Sequence, residues 1–413
     1  MDKNREQSFF SSAGRGGILC ALLSSCLLIL SFPKFDFAFL AWIALVPLLI
    51  ALRGKSLTLA YPLSALTGTC FWMGHCYWIN VVPGFTWLDF TLCGLYLGSY
   101  FGLFAVVVCF ISRHTRLPLL LTAPVVWVAV EYLRAHAGFL GVPWALLGHS
   151  QYRNLLLIQL ASLTGVYGIS FLIAMVNVTV SECVLAWSGF TSMSSGLQRL
   201  TLSHSAAIAG ALLALSLVYG FHAIAQPSGE ETVRVTVIQG NISQDLKWKP
   251  ELRKLNLEEH IRLTHDAVSR DQTSLIVWPE TVVQRFLPQD LYLLSVFAKL
   301  VRETNLPLLV GGSQHPQYGP KELRKQKRLN SAFLISPRGG IIGVHNKILL
   351  LPFGEYLPYQ EFFPWPARLT AIDDINNVLP GERYTLFKLN EHAFAVLICW
   401  ESLFPELQQF ALE

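Results

Sequence analysis

The order of apolar and polar residues divides the chain into two parts. Residues 1–229 contain uncharged apolar stretches at about 16–33, 37–52, 58–82, 90–112, 117–130, 154–181 and 200–226. A membrane-spanning helix needs about 20 apolar residues. The seven stretches therefore predict a multi-spanning α-helical membrane bundle, in which 37–52 and 117–130 are the shortest members.

Residues 230–413 have the pattern of a soluble domain. Short runs rich in β-branched and aromatic residues predict strands at 233–239, 274–279, 307–312, 331–336, 340–345 and 392–398. Two longer segments, 251–270 and 289–304, predict helices. Strands that alternate with helices are typical of an α/β domain with a largely buried sheet. The linker 227–231 therefore separates a membrane bundle over 1–229 from a second domain over 230–413.

Charge follows the same division. The first part holds only 17 Asp, Glu, Lys and Arg residues, 11 basic and 6 acidic, whereas the second part holds 41. The first part is too apolar for a soluble domain, and the net charge of +4 originates there. The chain has no basic run of the kind that binds nucleic acid, so we expect no nucleic-acid partner.

The basic residues of the first part predict its orientation. One set of predicted loops carries eight Lys and Arg residues, and the opposite set carries Lys34, Arg134 and Arg153. Because cytoplasmic loops hold the excess of Lys and Arg, the second domain should face outward, into the periplasm of a bacterium, from the inner membrane. Aromatic residues of the outer loop 131–153 favour the headgroup layer, either as an anchoring belt or as a lip that guides lipid.

Cysteine usage singles out one residue. Seven of the eight cysteines lie in or beside the apolar stretches, where we expect them to act as small hydrophobes. Cys399 is the one cysteine of the second domain, and an unpaired thiol in an oxidising compartment is a liability unless it does chemistry. No Cys or His spacing is typical of a metal site, so we expect no metal and no cofactor. The five histidines of this domain, which include His260 and His345, are interpreted as surface or structural residues.

Three reactive residues each follow a predicted strand. Glu280 follows 274–279, Lys347 follows 340–345, and Cys399 follows 392–398 where a helix should begin. Groups just past strand ends can converge on one edge of a sheet, and a thiol beside a helix N-terminus should have a lowered pKa. Each residue alone could be a cap, a surface charge or a buried thiol. The combination predicts a nucleophile with a carboxylate and an ammonium partner.

Longer motifs surround these three residues. WPET at 278–281, NK followed by LPFGEYLP at 346–358, and ICWES at 398–402 resemble the nitrilase superfamily of carbon–nitrogen hydrolases. With the predicted bundle, the motifs GVPW…GHSQ, LTGVYGISFL and VIQGNISQ…KW resemble the apolipoprotein N-acyltransferase family over nearly the whole chain. The resemblance implies that the second domain is an α-β-β-α sandwich.

The resemblance also implies roles and substrates. Glu280 would be the general base, Lys347 would stabilise the oxyanion, and Cys399 would be the nucleophile. Three further residues match two active-site carboxylates and a site-lining indole: Glu355, Glu401 and Trp248. The implied reaction moves an acyl chain from a membrane phospholipid, through a thioester, to the N-terminal amine of the diacylglyceryl-cysteine of an apolipoprotein.

The family pattern continues beyond residue 413 with further strands, a motif of Asn, Trp and Gly, and a last membrane span. We therefore expect this sequence to be a fragment of an active enzyme, with an incomplete sandwich. Two alternatives stay open. The chain could be a membrane-tethered amidase of the nitrilase type, which delivers the acyl group to water, or an inactive truncated membrane protein.

Overall fold

The computed structural model describes residues 15–82, 85–188, 196–226, 232–243, 246, 249–270, 272–282, 286–316, 327–362 and 377–409. The chain divides into two compact units, Met1–Ser228 and Gly229–Glu413. Within the described residues, the first unit is helical and the second contains all the strands.

The described part of the first unit contains eight α-helices. They are α1 Arg15–Ser31, α2 Val46–Leu52, α3 Leu57–His75, α4 Trp87–His114, α5 Leu119–Ala135, α6 Leu155–Ile158, α7 Ala161–Trp187 and α8 Gly196–Ala225. Three segments, Trp87–His114, Ala161–Trp187 and Ser203–Ala225, are long and apolar enough to cross a membrane. They support a membrane character for this unit, and the full seven-helix bundle stays a prediction.

Small residues bring α3 and α4 into close contact. A Cβ atom built on Gly68 would lie 2.8 Å from the Cα of Gly98, and one built on Gly98 would lie 2.6 Å from the backbone nitrogen of Thr69. The two helix backbones are therefore closer than a larger side chain would permit. Close packing of this kind is a main source of helix association in lipid, where burial of apolar surface gives no drive.

The stretch 37–52 does not form the single helix predicted from its composition. A 3-10 turn at Ala38–Trp42 is followed by the seven-residue helix α2. The Asn177 side chain of α7 holds the break, because its Oδ1 accepts from the Leu45 nitrogen and its Nδ2 donates to the Ala41 carbonyl, both at 2.8 Å. These bonds satisfy backbone groups that lack helical partners at the break.

Two buried charged residues of α5 hold the segment that follows it. Arg134, predicted to be a loop charge, lies instead in the last turn of α5 and is only 4% exposed. Its Nη1 donates to the carbonyls of Val142 and Trp144, each at 2.7 Å. Glu131 is buried to the same extent and accepts from the Leu147 nitrogen at 2.6 Å.

The second unit alternates strands and helices. Its described elements are β1 Val235–Val237, α9 Arg253–Val268, β2 Leu275–Val277, α10 Leu291–Thr304, β3 Leu308–Gln314, β4 Arg328–Ile335, β5 Ile341–Asn346, β6 Val378–Leu379, β7 Phe387–Leu389, β8 His392–Phe394 and α11 Pro405–Gln409. Each of the six predicted strands and both predicted helices has a counterpart. The sequence pattern missed β6 and β7, which are too short, at two and three residues, to show an alternation.

The main sheet has the order β1-β2-β3-β4-β5, with β6 paired to one end of β4. Strands β1 to β3 are parallel, while β3 to β5 are antiparallel. Helices α9 and α10 make the crossovers that parallel neighbours require. Strands β7 and β8 form a separate antiparallel hairpin.

Both faces of the main sheet pack against other elements. One face packs against α9 and α10, through residues such as Leu257 and Phe297. On the other face, Phe387 and Leu389 of β7 and the side chain of Ile398 join one core. The described residues thus supply a helical layer and two sheet layers of the predicted α-β-β-α sandwich, and its fourth layer stays a prediction.

The predicted strand 392–398 is wrong in its second half. Only β8 is a strand, and it pairs with β7 instead of the main sheet. Residues 395–398 have no regular structure and lead into the 3-10 turn Cys399–Leu403. Burial of Ile398 beside Leu309 and Leu334, and not strand pairing, therefore fixes the segment that carries Cys399.

Candidate active site

Glu280 lies just beyond the end of β2, on a firmly held segment. Trp278 anchors this segment to α9, since its Nε1 donates to Thr264 Oγ1 at 2.9 Å. Gly311 of β3 allows a close approach, because a Cβ there would lie 2.8 Å from the Glu280 Cα. Thr281 has a φ of 57°, a costly conformation for a β-branched residue. Such strain persists where the surroundings impose it, so the carboxylate is held rigidly at the sheet edge.

Lys347 directly follows β5 and is 2% exposed. Its Nζ lies 2.8 Å from Glu355 Oε2 and 3.8 Å from Glu280 Oε1. Glu355 Oε2 also accepts from the Leu351 nitrogen at 2.8 Å, which fixes the turn between lysine and carboxylate. Two carboxylates therefore compensate the buried ammonium, as a buried charge requires.

Asn330 of β4 was not singled out by the sequence analysis. Its Nδ2 donates to Glu280 Oε1 at 2.7 Å and to Glu355 Oε1 at 3.0 Å. It therefore joins the carboxylates on either side of Lys347. The one available signal was a polar residue inside a strand that is otherwise largely apolar and buried.

Cys399 begins the 3-10 turn and has a φ of 53°, in the left-handed region. The residue is exposed and borders a cavity of about 400 Å³ that also reaches Glu280. Apolar residues of the main sheet, such as Leu309 and Ala332, form much of the remaining wall. A thiol on a strained backbone position beside an apolar cavity is suited to meet an acyl carbonyl group.

The predicted lowering of the Cys399 pKa is wrong. The thiol is partly shielded from solvent although the residue is exposed, and this partial burial raises its pKa. The charge and hydrogen bond of Glu280 raise that pKa further, against an opposing effect of Lys347. A 3-10 turn of five residues supplies little of the dipole expected from a long helix. The thiol thus keeps its proton near neutral pH and needs a base, and Glu280 is in position to be that base.

Glu401 is completely buried, with 0% exposure. Its Oε1 accepts from the backbone nitrogens of Ile348 and Leu349 at 2.7 and 3.1 Å, and its Oε2 accepts from that of Ile398 at 2.7 Å. It therefore ties the segment that follows the lysine to the segment that carries the thiol. This contact pattern indicates a positioning role beneath the site.

His345 is a second residue whose position the sequence did not predict. It is 1% exposed, and its Nε2 lies 3.8 Å from Glu401 Oε2. Burial alone would raise the pKa of Glu401, but His345 and the three backbone N–H groups hold that pKa below its usual value. The interpretation as a structural histidine fits its burial, whereas its place beside an active-site carboxylate was not foreseen.

The structure thus brings Glu280, Lys347, Glu355 and Cys399 to one edge of the sheet, with Glu401 beneath them. Trp248 lies outside the described residues. A thiol, a carboxylate and a compensated ammonium at the edge of an α/β sheet are the parts of a cysteine-dependent acyl-transfer site. The class of protein so defined is a thiol enzyme joined to a helical, membrane-type unit.

Comparisons with known proteins agree with that class. A family model described as carbon-nitrogen hydrolase matches residues 234–410, and one described as the apolipoprotein N-acyltransferase N-terminal domain matches residues 24–179. An apolipoprotein N-acyltransferase of Geobacter metallireducens is 35% identical over 97% of this chain and 76% of its own length. One from Chlorobaculum tepidum is 28% identical over 93% of this chain and 74% of its own length.

The chain therefore belongs to the apolipoprotein N-acyltransferase family, and it is an acyltransferase with a carbon–nitrogen hydrolase domain. Among solved structures, a carbon-nitrogen hydrolase from Helicobacter pylori matches with a TM-score of 0.31 and 17% identity, over 43% of this chain and 55% of that one. The predicted family is confirmed by the sequence comparisons alone.

Proposed function

We propose that this enzyme transfers an acyl chain from a membrane phospholipid, through a thioester on Cys399, to the N-terminal amine of the diacylglyceryl-cysteine of apolipoproteins. The observation that carries the proposal is the shared environment of three groups. Glu280 borders the same cavity as Cys399, and Lys347 lies 3.8 Å from the Glu280 carboxylate.

In the first half-reaction, Glu280 takes the proton of Cys399 as the sulfur attacks the ester carbonyl of the donor. Lys347 offsets the charge that develops on the carbonyl oxygen, an effect worth roughly 10²–10³ in rate for one such donor. The carbon–oxygen bond then breaks, and the lysophospholipid leaves with the proton from Glu280. A raised thiol pKa fits this order, because the proton leaves only when a carbonyl group is ready to react.

The supporting residues have distinct roles in this scheme. Glu355 forms an ion pair with Lys347 and orients it. Asn330 donates hydrogen bonds to Glu280 and Glu355 and orients both carboxylates. Glu401 positions the backbone on both sides of the site. By family membership, Trp248 is proposed to line the substrate path.

The proposed substrates explain a membrane-bound enzyme. Each CH₂ group of an acyl chain that stays in lipid is worth about 0.8 kcal/mol, so neither lipid substrate leaves the bilayer readily. The apolar helices support a membrane location, and the loop charges support an inner-membrane protein with its second unit in the periplasm.

The test is intact-mass analysis of the full-length protein in liposomes that contain a phospholipid with an isotopically heavy acyl chain. We expect the heavy acyl mass on Cys399, and its transfer to a synthetic diacylglyceryl-cysteinyl peptide added afterwards. Cys399→Ala should lower transfer by roughly 10⁴-fold or more, as the loss of a catalytic nucleophile does.

Two results would contradict this proposal. A normal transfer rate in Cys399→Ala would exclude a thioester on Cys399 as an intermediate. An acyl-enzyme that reacts with water but never with the peptide would indicate an amidase. Cys183→Ala, which alters an exposed cysteine of the helical unit, is the matched control and should retain full activity.

A further inference from the structure

A second cavity adjoins Glu280, distinct from the one that reaches Cys399. It has a volume of about 220 Å³, and of its lining residues only Pro279 and Glu280 also border the Cys399 cavity. The Glu280 side chain is 32% exposed. The carboxylate therefore lies at the boundary between two cavities, and the proposed half-reaction with phospholipid uses only one of them.

Side-chain amides dominate the polar lining of this second cavity. Gln239 and Asn241 follow β1, and Asn256 lies in the first turn of α9. None of these three amides takes part in a hydrogen bond between described residues. Each offers one carbonyl acceptor and two N–H donors. Gln239 and Asn241 are exposed and Asn256 is half-buried, so the cavity presents solvent-facing amides next to the catalytic base.

The walls of this cavity are held in place. His260 of α9 is 3% exposed, and its Nδ1 lies 2.7 Å from the Asn256 carbonyl oxygen. Gly240 lets the loop lie against the imidazole, because a Cβ there would be 2.5 Å from His260 Cε1. Two lining residues, Asn241 and Thr281, have φ angles of 48° and 57°, in the left-handed region. Strained residues of this kind cluster at preformed binding sites.

The charged residues that line this second cavity favour one class of ligand. Glu280 is the one acidic residue among the lining residues, and they include no Lys or Arg, with His260 the single titratable base. A phosphate group would meet a carboxylate without a compensating cation, which is unfavourable in a partly buried site. An ammonium group followed by peptide amides would instead find a carboxylate and matching hydrogen-bonding partners.

We propose that this amide-lined cavity is the acceptor subsite, which binds the amine end and the first peptide groups of the lipoprotein substrate. The proposal rests on the proposed function. The acyl thioester occupies the Cys399 cavity. The bound ammonium group first loses one proton to solvent, and the resulting neutral amine attacks the carbonyl carbon of the thioester across Glu280. The carbon–nitrogen bond forms, the carbon–sulfur bond breaks, and the amine proton passes through Glu280 to the Cys399 thiolate.

The experiment separates the two half-reactions of the full-length enzyme in liposomes. Three variants remove one amide each: Gln239→Leu, Asn241→Gly and Asn256→Leu. Glycine is chosen at 241 because it retains the left-handed backbone. Acyl-thioester formation from phospholipid is measured by intact-mass analysis. Transfer is measured in a single turnover, in which the preloaded enzyme reacts with a diacylglyceryl-cysteinyl peptide.

Each variant should lower kcat/KM for the peptide by about threefold to tenfold, the effect of one lost net hydrogen bond. Thioester formation should proceed at the unmodified rate, which also shows that the variant is folded. Glu258→Ala removes an exposed side chain of the same helix outside the cavity, and it should change neither step.

The acceptor subsite is overturned if the three variants transfer acyl chains at the normal rate. It is also overturned if they slow thioester formation as much as transfer, because the cavity would then serve the phospholipid or the fold. These outcomes differ from a failure of the proposed function, in which the unmodified enzyme itself forms no thioester on Cys399.

Discussion

Both units of this protein bury charged side chains, but they use them differently. In the helical unit, Arg134 and Glu131 each form hydrogen bonds with the backbone of the segment that follows α5. In the second unit, Glu401 does the same with three backbone nitrogens, whereas Lys347 instead pairs with carboxylates that border a cavity.

The partners of a buried charge indicate whether it positions the backbone or takes part in the reaction. A buried charge whose hydrogen bonds go mainly to backbone atoms holds a segment of the chain in place. A buried charge compensated by side chains at a cavity can change partners as charge develops on a substrate. By this criterion Glu401, which accepts from three backbone nitrogens, belongs with Arg134, although it is only two residues from Cys399.

The strongest test of this comparison measures thioester formation and stability in two variants, Lys347→Met and Glu401→Gln. Lys347→Met should slow thioester formation by roughly 10²–10³-fold, because the oxyanion loses its cation. Glu401→Gln should mainly lower the free energy of unfolding of the second unit, by about 3 kcal/mol, since an amide NH₂ must then face a buried backbone N–H group. Thioester formation and denaturant unfolding of both variants, in detergent, are the measurements.

Lys388→Met is the matched control, because it removes an exposed lysine of β7. It should leave both rate and stability unchanged. If Glu401→Gln instead leaves the free energy of unfolding unchanged but forms no thioester, Glu401 is part of the reacting site and the comparison fails.

A smaller effect is expected in the helical unit. Arg134→Met should destabilise that unit by about 2 kcal/mol, because the carbonyls of Val142 and Trp144 lose a buried donor. Thermal unfolding in detergent measures the loss. The alkylation rate of Cys399 in the same sample should be unchanged, and a slower rate would show that Arg134 affects the chemistry of the second unit.

The smallest expected effect concerns the pH dependence of the Cys399 thiol. Its pKa is raised, so the thiolate fraction is low at neutral pH and alkylation by iodoacetamide should accelerate as the pH rises past 9. Glu280→Gln removes a charge that raises this pKa, so the curve should move to lower pH and alkylation at pH 8 should be about threefold faster.

Peptide mapping distinguishes Cys399 from the seven other cysteines. Lys347→Met should move the curve the opposite way, because Lys347 lowers the thiol pKa. Identical curves in all three proteins would mean that neither charge acts on the sulfur.

The sequence predicted the strand-end positions of Glu280 and Lys347 because strands of the main sheet have strong apolar runs. It could not predict how Cys399 is placed, because β8 pairs outside the main sheet and residues 395–398 have no regular structure. Asn330 was missed for a related reason. A single asparagine in a strand becomes significant only when tertiary pairing sets it between two carboxylates.

The sequence by itself determined the two-part composition and the family, and it singled out the candidate reactive groups, because hydrophobic periodicity and local motifs are properties of neighbouring residues. Only the tertiary structure decided which charges are buried and what they bind. Arg134 has the sequence context of a loop charge, and Glu401 that of a catalytic carboxylate. Their roles depend on hydrogen bonds to backbone groups brought close by folding, and the free energy of burying a charge depends on those partners.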